Sequence, residues 1–227
     1  RLHGDGDLYA GNGVPDANGN QTYLPGGDGF GTAYPGFKGF RALSNWSFKY
    51  GNLAAWVTQD RVNINQWAGT NNEHNKNRRG MVAFGDVSDP AKVPTTGSAT
   101  YSGFAYGWHT RNATEDVSFF RGEATITVDF ATRKVVVTLL DTATYNASTI
   151  SVPATLTTTT TMDAGGGNYL TGPVDTGSLK GGLSGRYFGP VVTSDKNGTG
   201  PAEVGGAFSL SNSTTGATAV GGFIARK

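Results

Sequence analysis

The second half of the chain alternates apolar and polar positions with a period of two, the mark of half-buried β-strands. In Ala99–Trp108, Tyr101, Gly103, Ala105 and Gly107 share one face, and Ser102, Phe104, Tyr106 and Trp108 share the other. In Phe119–Phe130, Phe120, Gly122, Ala124, Ile126, Val128 and Phe130 fall on one face. Ala131-Thr132-Arg133 then turns the chain into Lys134–Leu140, which predicts a hairpin. Ser148–Met162 is dominated by Thr, Val and Ile, residues suited to a pleated surface. Tyr169–Ser178 and Gly182–Phe188 are shorter strands, and Ala202–Leu210 with Ala217–Ala225 forms a last hairpin. About eight strands separated by turn residues predict a small closed antiparallel barrel, because closure removes the edges an open sheet would expose. Glycines on the inward faces suit tight curvature.

The first half has a different texture. Gly39–Tyr50, Leu53–Trp67 and Gly80–Gly85 predict strands, joined by long Gly- and Asn-rich stretches over 4–36 and 68–79. Long connections of this kind are usually functional or mobile. Two prolines and a glycine in Asp89-Pro90-Ala91-Lys92-Val93-Pro94-Thr95-Thr96-Gly97 interrupt any regular element. The pattern therefore predicts an all-β chain: a small N-terminal β-rich domain over 1–96, followed by an eight-stranded antiparallel barrel over 97–227.

Composition narrows the chemistry. The chain has 227 residues, 35 Gly and no Cys. The absence of cysteine excludes a disulfide scaffold, a thiolate metal site and thiol catalysis. Lys and Arg number 18 against 17 Asp and Glu, a net charge of +1, so charge alone makes no case for nucleic acid or an acidic membrane. No apolar run reaches the length of a membrane-spanning helix. The chain begins at Arg1 without a signal-like stretch and reads as the mature or trimmed form of a protein exported by a bacterium.

No G-x-S-x-G elbow, P-loop or H-E-x-x-H motif is present, and no carboxylate pair stands out, so the chain reads as a non-enzyme. Asp5-Gly6-Asp7 and Asp16-Ala17-Asn18-Gly19-Asn20 lack the Glu of a calcium loop and read as turns. Three histidines remain. His3 sits at a terminus, His74 lies in the polar stretch 71–79, and His109 ends a strand beside Trp108 at a loop mouth. Each is by default a surface or rim imidazole. Should His74 and His109 converge, they would offer two nitrogens to one metal, as in six-coordinate haem. Haem also needs an apolar slot and cations or donors for its propionates. The first half holds Tyr34, Phe37 and Trp46 among its aromatics, with Arg78 and Arg79 among its cations. Most such aromatics are core residues in a small β-domain.

Several stretches resemble the transferrin-binding protein B-like barrel family. Ala99-Thr100-Tyr101-Ser102-Gly103-Phe104-Ala105-Tyr106-Gly107 looks like that family's first barrel strand, and Gly122-Glu123-Ala124-Thr125-Ile126-Thr127-Val128-Asp129-Phe130 like its second. Gly185-Arg186-Tyr187-Phe188-Gly189-Pro190, Glu203-Val204-Gly205-Gly206-Ala207-Phe208 and Val220-Gly221-Gly222-Phe223-Ile224-Ala225-Arg226-Lys227 resemble its closing signature. The resemblance covers about 97–227 and implies an N-terminal handle domain followed by an eight-stranded barrel. The family includes receptors for host transferrin or complement factor H and soluble haem carriers, the hemophilins. The short handle and single barrel are most similar to the hemophilins.

That resemblance implies a secreted hemophore of a Gram-negative bacterium, exported by an outer-membrane translocator, the surface lipoprotein assembly modulator. Its cofactor would be haem, passed on to an outer-membrane haem receptor. His109 and His74 are then the expected iron ligands. Trp108, Tyr34, Phe37 and Trp46 would line the haem, and Arg78 or Arg79 would pair with a propionate. The chain is expected to act as a monomer, without nucleic acid or a membrane span. The alternative is a surface or secreted module binding a host protein of the transferrin, haemoglobin or complement-factor type, without haem.

Overall fold

The computed structural model describes residues 48–57, 79–115, 117–144, 152–160, 167–194 and 196–227. Its strands are β1 (Gly51–Val57), β2 (Arg79–Gly85), β3 (Ser98–Thr110), β4 (Ser118–Asp129), β5 (Lys134–Thr144), β6 (Thr155–Thr159), β7 (Tyr169–Asp175), β8 (Lys180–Ser194), β9 (Gly198–Ser211) and β10 (Thr218–Arg226). The only helical element among the described residues is a 3-10 turn, Pro90–Lys92. No described helix is long and apolar enough to cross a membrane.

Eight strands form one antiparallel sheet in the order β6-β5-β4-β3-β10-β9-β8-β7. Its two end strands meet, since a Cβ added to Gly172 of β7 would run into Thr158 Oγ1 and the Thr159 carbonyl of β6. The result is the expected eight-stranded barrel, nearly closed, with no ladder between β6 and β7 among the described residues. Alternation fills its interior. Tyr101, Ala105, Phe120, Ile126, Val137, Leu183, Val204, Phe208 and Phe223 belong to one buried apolar core. Gly221 of β10 faces inward because the space there is taken: a Cβ would lie 2.5 Å from Phe208 Cζ and 2.7 Å from Phe120 Cζ.

The 130–133 turn forms as expected. Asp129 Oδ1 accepts from Ala131 N and Thr132 N, both at 2.9 Å. Those bonds hold its carboxyl below the usual range. Arg133 takes the left-handed conformation, φ 59°, that brings the chain back into β5.

Two strand expectations change. Ser148–Met162 contains only the five residues of β6 as described strand. Pro153 has no N–H to give a ladder, and the chain bends over 152–154 before β6 begins. The strand expected over Gly39–Tyr50 is not formed in its described part: 48–50 is irregular, because its N–H groups turn to a side chain considered below. The rest of that stretch, and 58–67 of the strand expected over Leu53–Trp67, lie outside the described residues.

β1 and β2 pair antiparallel from Gly51↔Gly85 to Val57↔Arg79 and form a separate two-stranded sheet. The chain then crosses to the barrel through an anchored segment. Val87 bridges to Phe188, Ser88 Oγ donates to the Gly189 carbonyl at 2.6 Å, and Asn168 Nδ2 donates to the Ser88 carbonyl at 2.7 Å.

Candidate binding face

The outward face of β3 carries Ser102, Phe104, Tyr106 and Trp108, the alternation read from sequence. Only the start of that face is solvated: Ser102 is exposed, whereas Tyr106 is buried and Phe104 and Trp108 are half-buried. Phe119 of β4 stands directly across from Trp108 in the ladder. The rings form a continuous strip. Phe48 meets Phe104 edge-on at 5.7 Å, Phe104 stacks on Tyr106 at 6.0 Å, and Phe119 lies 6.3 Å from Tyr106 and 6.4 Å from Trp108. These are separations at which aromatic pairs attract.

The β1–β2 sheet covers part of this wall. Leu53, Ala55 and Met81 form a second buried core with Tyr106, Phe119 and Ile224. Each large apolar side chain buried there contributes about 1.5–3 kcal/mol. Tyr106 Oη donates to the Leu53 carbonyl at 3.1 Å, which satisfies the one polar atom in the contact. Gly222 lets the sheet sit close, since a Cβ would lie 2.8 Å from Leu53 Cδ1 and 2.9 Å from Met81 Cβ. With Leu53 and Met81 facing the barrel, period two turns Asn52, Val82 and Phe84 outward. Val82 is 44% exposed and Phe84 50% exposed, so this sheet offers apolar surface to solvent.

A carboxylate fixes the sheet's entry. Glu203 on β9 is only 3% exposed. Oε1 accepts from Lys49 N at 2.6 Å, and Oε2 accepts from Tyr50 N at 3.0 Å and Gly51 N at 2.7 Å. Three successive backbone donors thus converge on one anion, the arrangement in which a buried charge is tolerated. Sequence reasoning missed Glu203 as a site residue. The available signal was one acid inside an otherwise small and apolar strand.

Of the expected site residues, Arg79, Trp108 and His109 are described. His74, Tyr34, Phe37, Trp46 and Arg78 lie outside the described residues. Arg79 opens β2 and is half-buried, and burial lowers its pKa. Trp108 and His109 are adjacent in β3 and so point to opposite sides of the barrel wall: Trp108 joins the outer strip, and His109 faces the lumen against Phe120, 6.2 Å away. The structure does not bring them together.

His109 is 1% exposed. Its Nε2 lies 2.7 Å from Thr144 Oγ1, and that hydroxyl donates to the Phe119 carbonyl at 3.1 Å. The hydroxyl has one hydrogen, so Nε2 carries the proton of the His109–Thr144 bond. Burial holds the imidazole below its ordinary pKa, while Glu115 pulls it up and Arg111 pushes it down. Above this mouth, Arg111 and Glu115 pair, and Ala113 N donates to the Thr215 carbonyl at 3.2 Å. A sealed ring whose Nε2 is engaged does not fit an axial haem ligand, which needs an accessible lone pair beside a wide apolar slot.

Arg121 is a further residue that sequence reasoning passed over. It sits beside Tyr106 in the β3–β4 ladder and is 5% exposed. Burial pushes its guanidinium down to about 10, which leaves it cationic at neutral pH. The aromatic strip is thus bordered by a buried positive charge.

No protein-family model matches the chain, and no curated protein does so either. Among solved structures, the chain is similar to the haemoglobin receptor HpuA from Kingella denitrificans, with 16% identity and a TM-score of 0.44. It is also similar to Transferrin Binding Protein B from Haemophilus parasuis, with 17% identity and a TM-score of 0.49. A third similar structure is Transferrin binding protein B from Neisseria meningitidis, with 19% identity and a TM-score of 0.44. In each case 79% of this chain is covered, against 56%, 33% and 32% of the other. The chain therefore spans between a third and rather more than half of the proteins it matches, and at these values the likeness carries no information on its ligand.

Proposed function

We propose that the chain is a non-catalytic binding module acting outside a Gram-negative bacterium, and that it docks a host iron-carrying protein on the outer face of the β1–β2 sheet. The observation that carries this reading is the exposed apolar pair Val82 and Phe84 on a sheet held firmly to the barrel. Exposed apolar surface on a rigid support is what a protein-binding face requires. The resemblance of 97–227 to the transferrin-binding protein B-like family supports the class of partner. The test is biolayer interferometry of the immobilised chain against human haemoglobin and iron-loaded human transferrin. Saturable binding to one of them is expected, weakened at least ten-fold by the double substitution Val82→Ser, Phe84→Ser. The melting temperature should stay within about 2 °C of the parent, because exposed side chains contribute little to stability. A folded chain that binds neither protein would refute the reading.

The hemophore reading remains second. The aromatic strip from Phe48 to Trp108 supports it, since such a wall suits a flat apolar ligand. With His109 sealed in the barrel mouth, the iron ligand in that reading is His74, in the stretch joining β1 to β2, and Arg79 is a cation available to a propionate. Delivery would then be to an outer-membrane haem receptor. A saturable Soret change on titration with ferric haem, lost in His74→Ala, would favour it over protein docking.

A further inference from the structure

We propose that His109 is a positioning residue for the outer aromatic strip, acting through the barrel wall by way of Thr144 and the backbone of Phe119. The inference rests on the strip and its covering sheet being part of the binding face.

The path is short and continuous. His109 Nε2–H donates to Thr144 Oγ1, and Thr144 donates to the Phe119 carbonyl, so the end of β3, the start of β4 and the end of β5 are tied at one point. Phe119 and Phe120 straddle the wall. Phe120 packs inward on His109 at an interplanar angle of 66°, in the space left above Gly107 and Gly221. Phe119 projects outward, where its ring meets both Tyr106 and Trp108. A change in the Phe119 carbonyl moves the Phe119 side chain, because both hang on the same Cα. Trp108 precedes His109 in β3 and pairs with Phe119 across the ladder, and its ring meets the Phe119 ring edge-on at 79°, so a shift of Phe119 reaches the indole directly. The donor chain runs one way, from imidazole to hydroxyl to carbonyl, so it needs an N–H at position 109 and a hydroxyl at position 144 but no charge at either.

The test uses the intact chain labelled with 15N-tryptophan, its Trp108 indole peak assigned by Trp108→Phe. Thr144→Val and His109→Leu each break the donor chain, whereas Thr144→Ser and His109→Gln each keep it. The two breaking variants should displace the Trp108 indole resonance and weaken binding of whichever of human haemoglobin and transferrin the parent binds about three- to ten-fold, the size expected of coupling through packed contacts. The two keeping variants should restore both. His109→Leu puts an apolar group beside Thr144 and is the variant at risk of misfolding; the Thr144→Val and Thr144→Ser pair decides the matter without it. A folded Thr144→Val variant with an unmoved Trp108 resonance overturns the proposal. So does loss of a ferric-haem Soret band in His109→Gln, which would make the imidazole an iron ligand. If the parent binds neither human haemoglobin nor human transferrin, the docking reading fails on its own, and the Trp108 resonance still decides this one.

Discussion

Replacing Glu203 tests how the β1–β2 sheet is held. Its carboxylate takes three backbone N–H groups at 2.6–3.0 Å while 3% exposed. A hydrogen bond to a charged group contributes about 1.5–3 kcal/mol. Glu203→Gln keeps one acceptor oxygen but sets an NH2 group against a backbone N–H, so at least one bond is lost and the charge leaves the others. The expected cost is about 2 kcal/mol. Glu203→Ala leaves Lys49, Tyr50 and Gly51 to find solvent or stay unpaired, and its cost is about 3–5 kcal/mol. The loss should fall first on the entry to β1. For Gln, a 2 kcal/mol loss is roughly a 30-fold fall in amide protection over 49–57, read by hydrogen exchange. Should the sheet and barrel melt together, the same loss lowers Tm by about 4–8 °C. The refuting result is a folded Glu203→Ala protein with parental protection over 49–57 and parental Tm; the three contacts would then contribute nothing, and the Leu53, Met81 and Ile224 packing would hold the sheet alone.

Further predictions follow from the same geometry. Gly222→Val should push β1–β2 off the wall, since even a Cβ falls within 3 Å of Leu53 and Met81, at a cost of about 1–3 kcal/mol measured by chemical denaturation. Acid should weaken the fold through His109. Its pKa is depressed in the folded chain, so the unfolded chain binds more protons between the folded and unfolded values. That contribution is therefore complete above about pH 6.5, the free imidazole value, and lost as pH falls towards the folded value. His109→Gln, which does not titrate, should flatten that part of a Tm-against-pH profile, and an unchanged slope would count against the buried neutral imidazole.

How much of this was legible in the sequence can be seen residue by residue. The inward and outward faces of β3 follow from parity alone, and parity also sets His109 on the side opposite Trp108. What parity cannot give is depth. His109 is sealed rather than at the rim because the 111–115 segment meets the β9–β10 turn, through Ala113 N and the Thr215 carbonyl, and because Thr144 of β5 arrives beside it. Both contacts join residues far apart in sequence. Phe104, Tyr106 and Trp108 read equally well as half of a barrel wall or as a binding surface until β1–β2 is placed on them.

Glu203 shows the same limit from the polar side. An acid in a Gly-rich strand is visible as an oddity, but its partners lie more than 150 residues earlier, as backbone N–H groups that no residue pattern encodes. Local alternation and turn chemistry determined most of the barrel strands, the hairpin at 130–133 and the all-β class, because those depend on neighbours within a few residues, whereas the ring of strands needs pairs such as β3 with β10. The tertiary structure decided which outward face is covered, which carboxylate holds the cover and which histidine is closed off, because burial and hydrogen bonding are settled by what the rest of the chain brings to a surface.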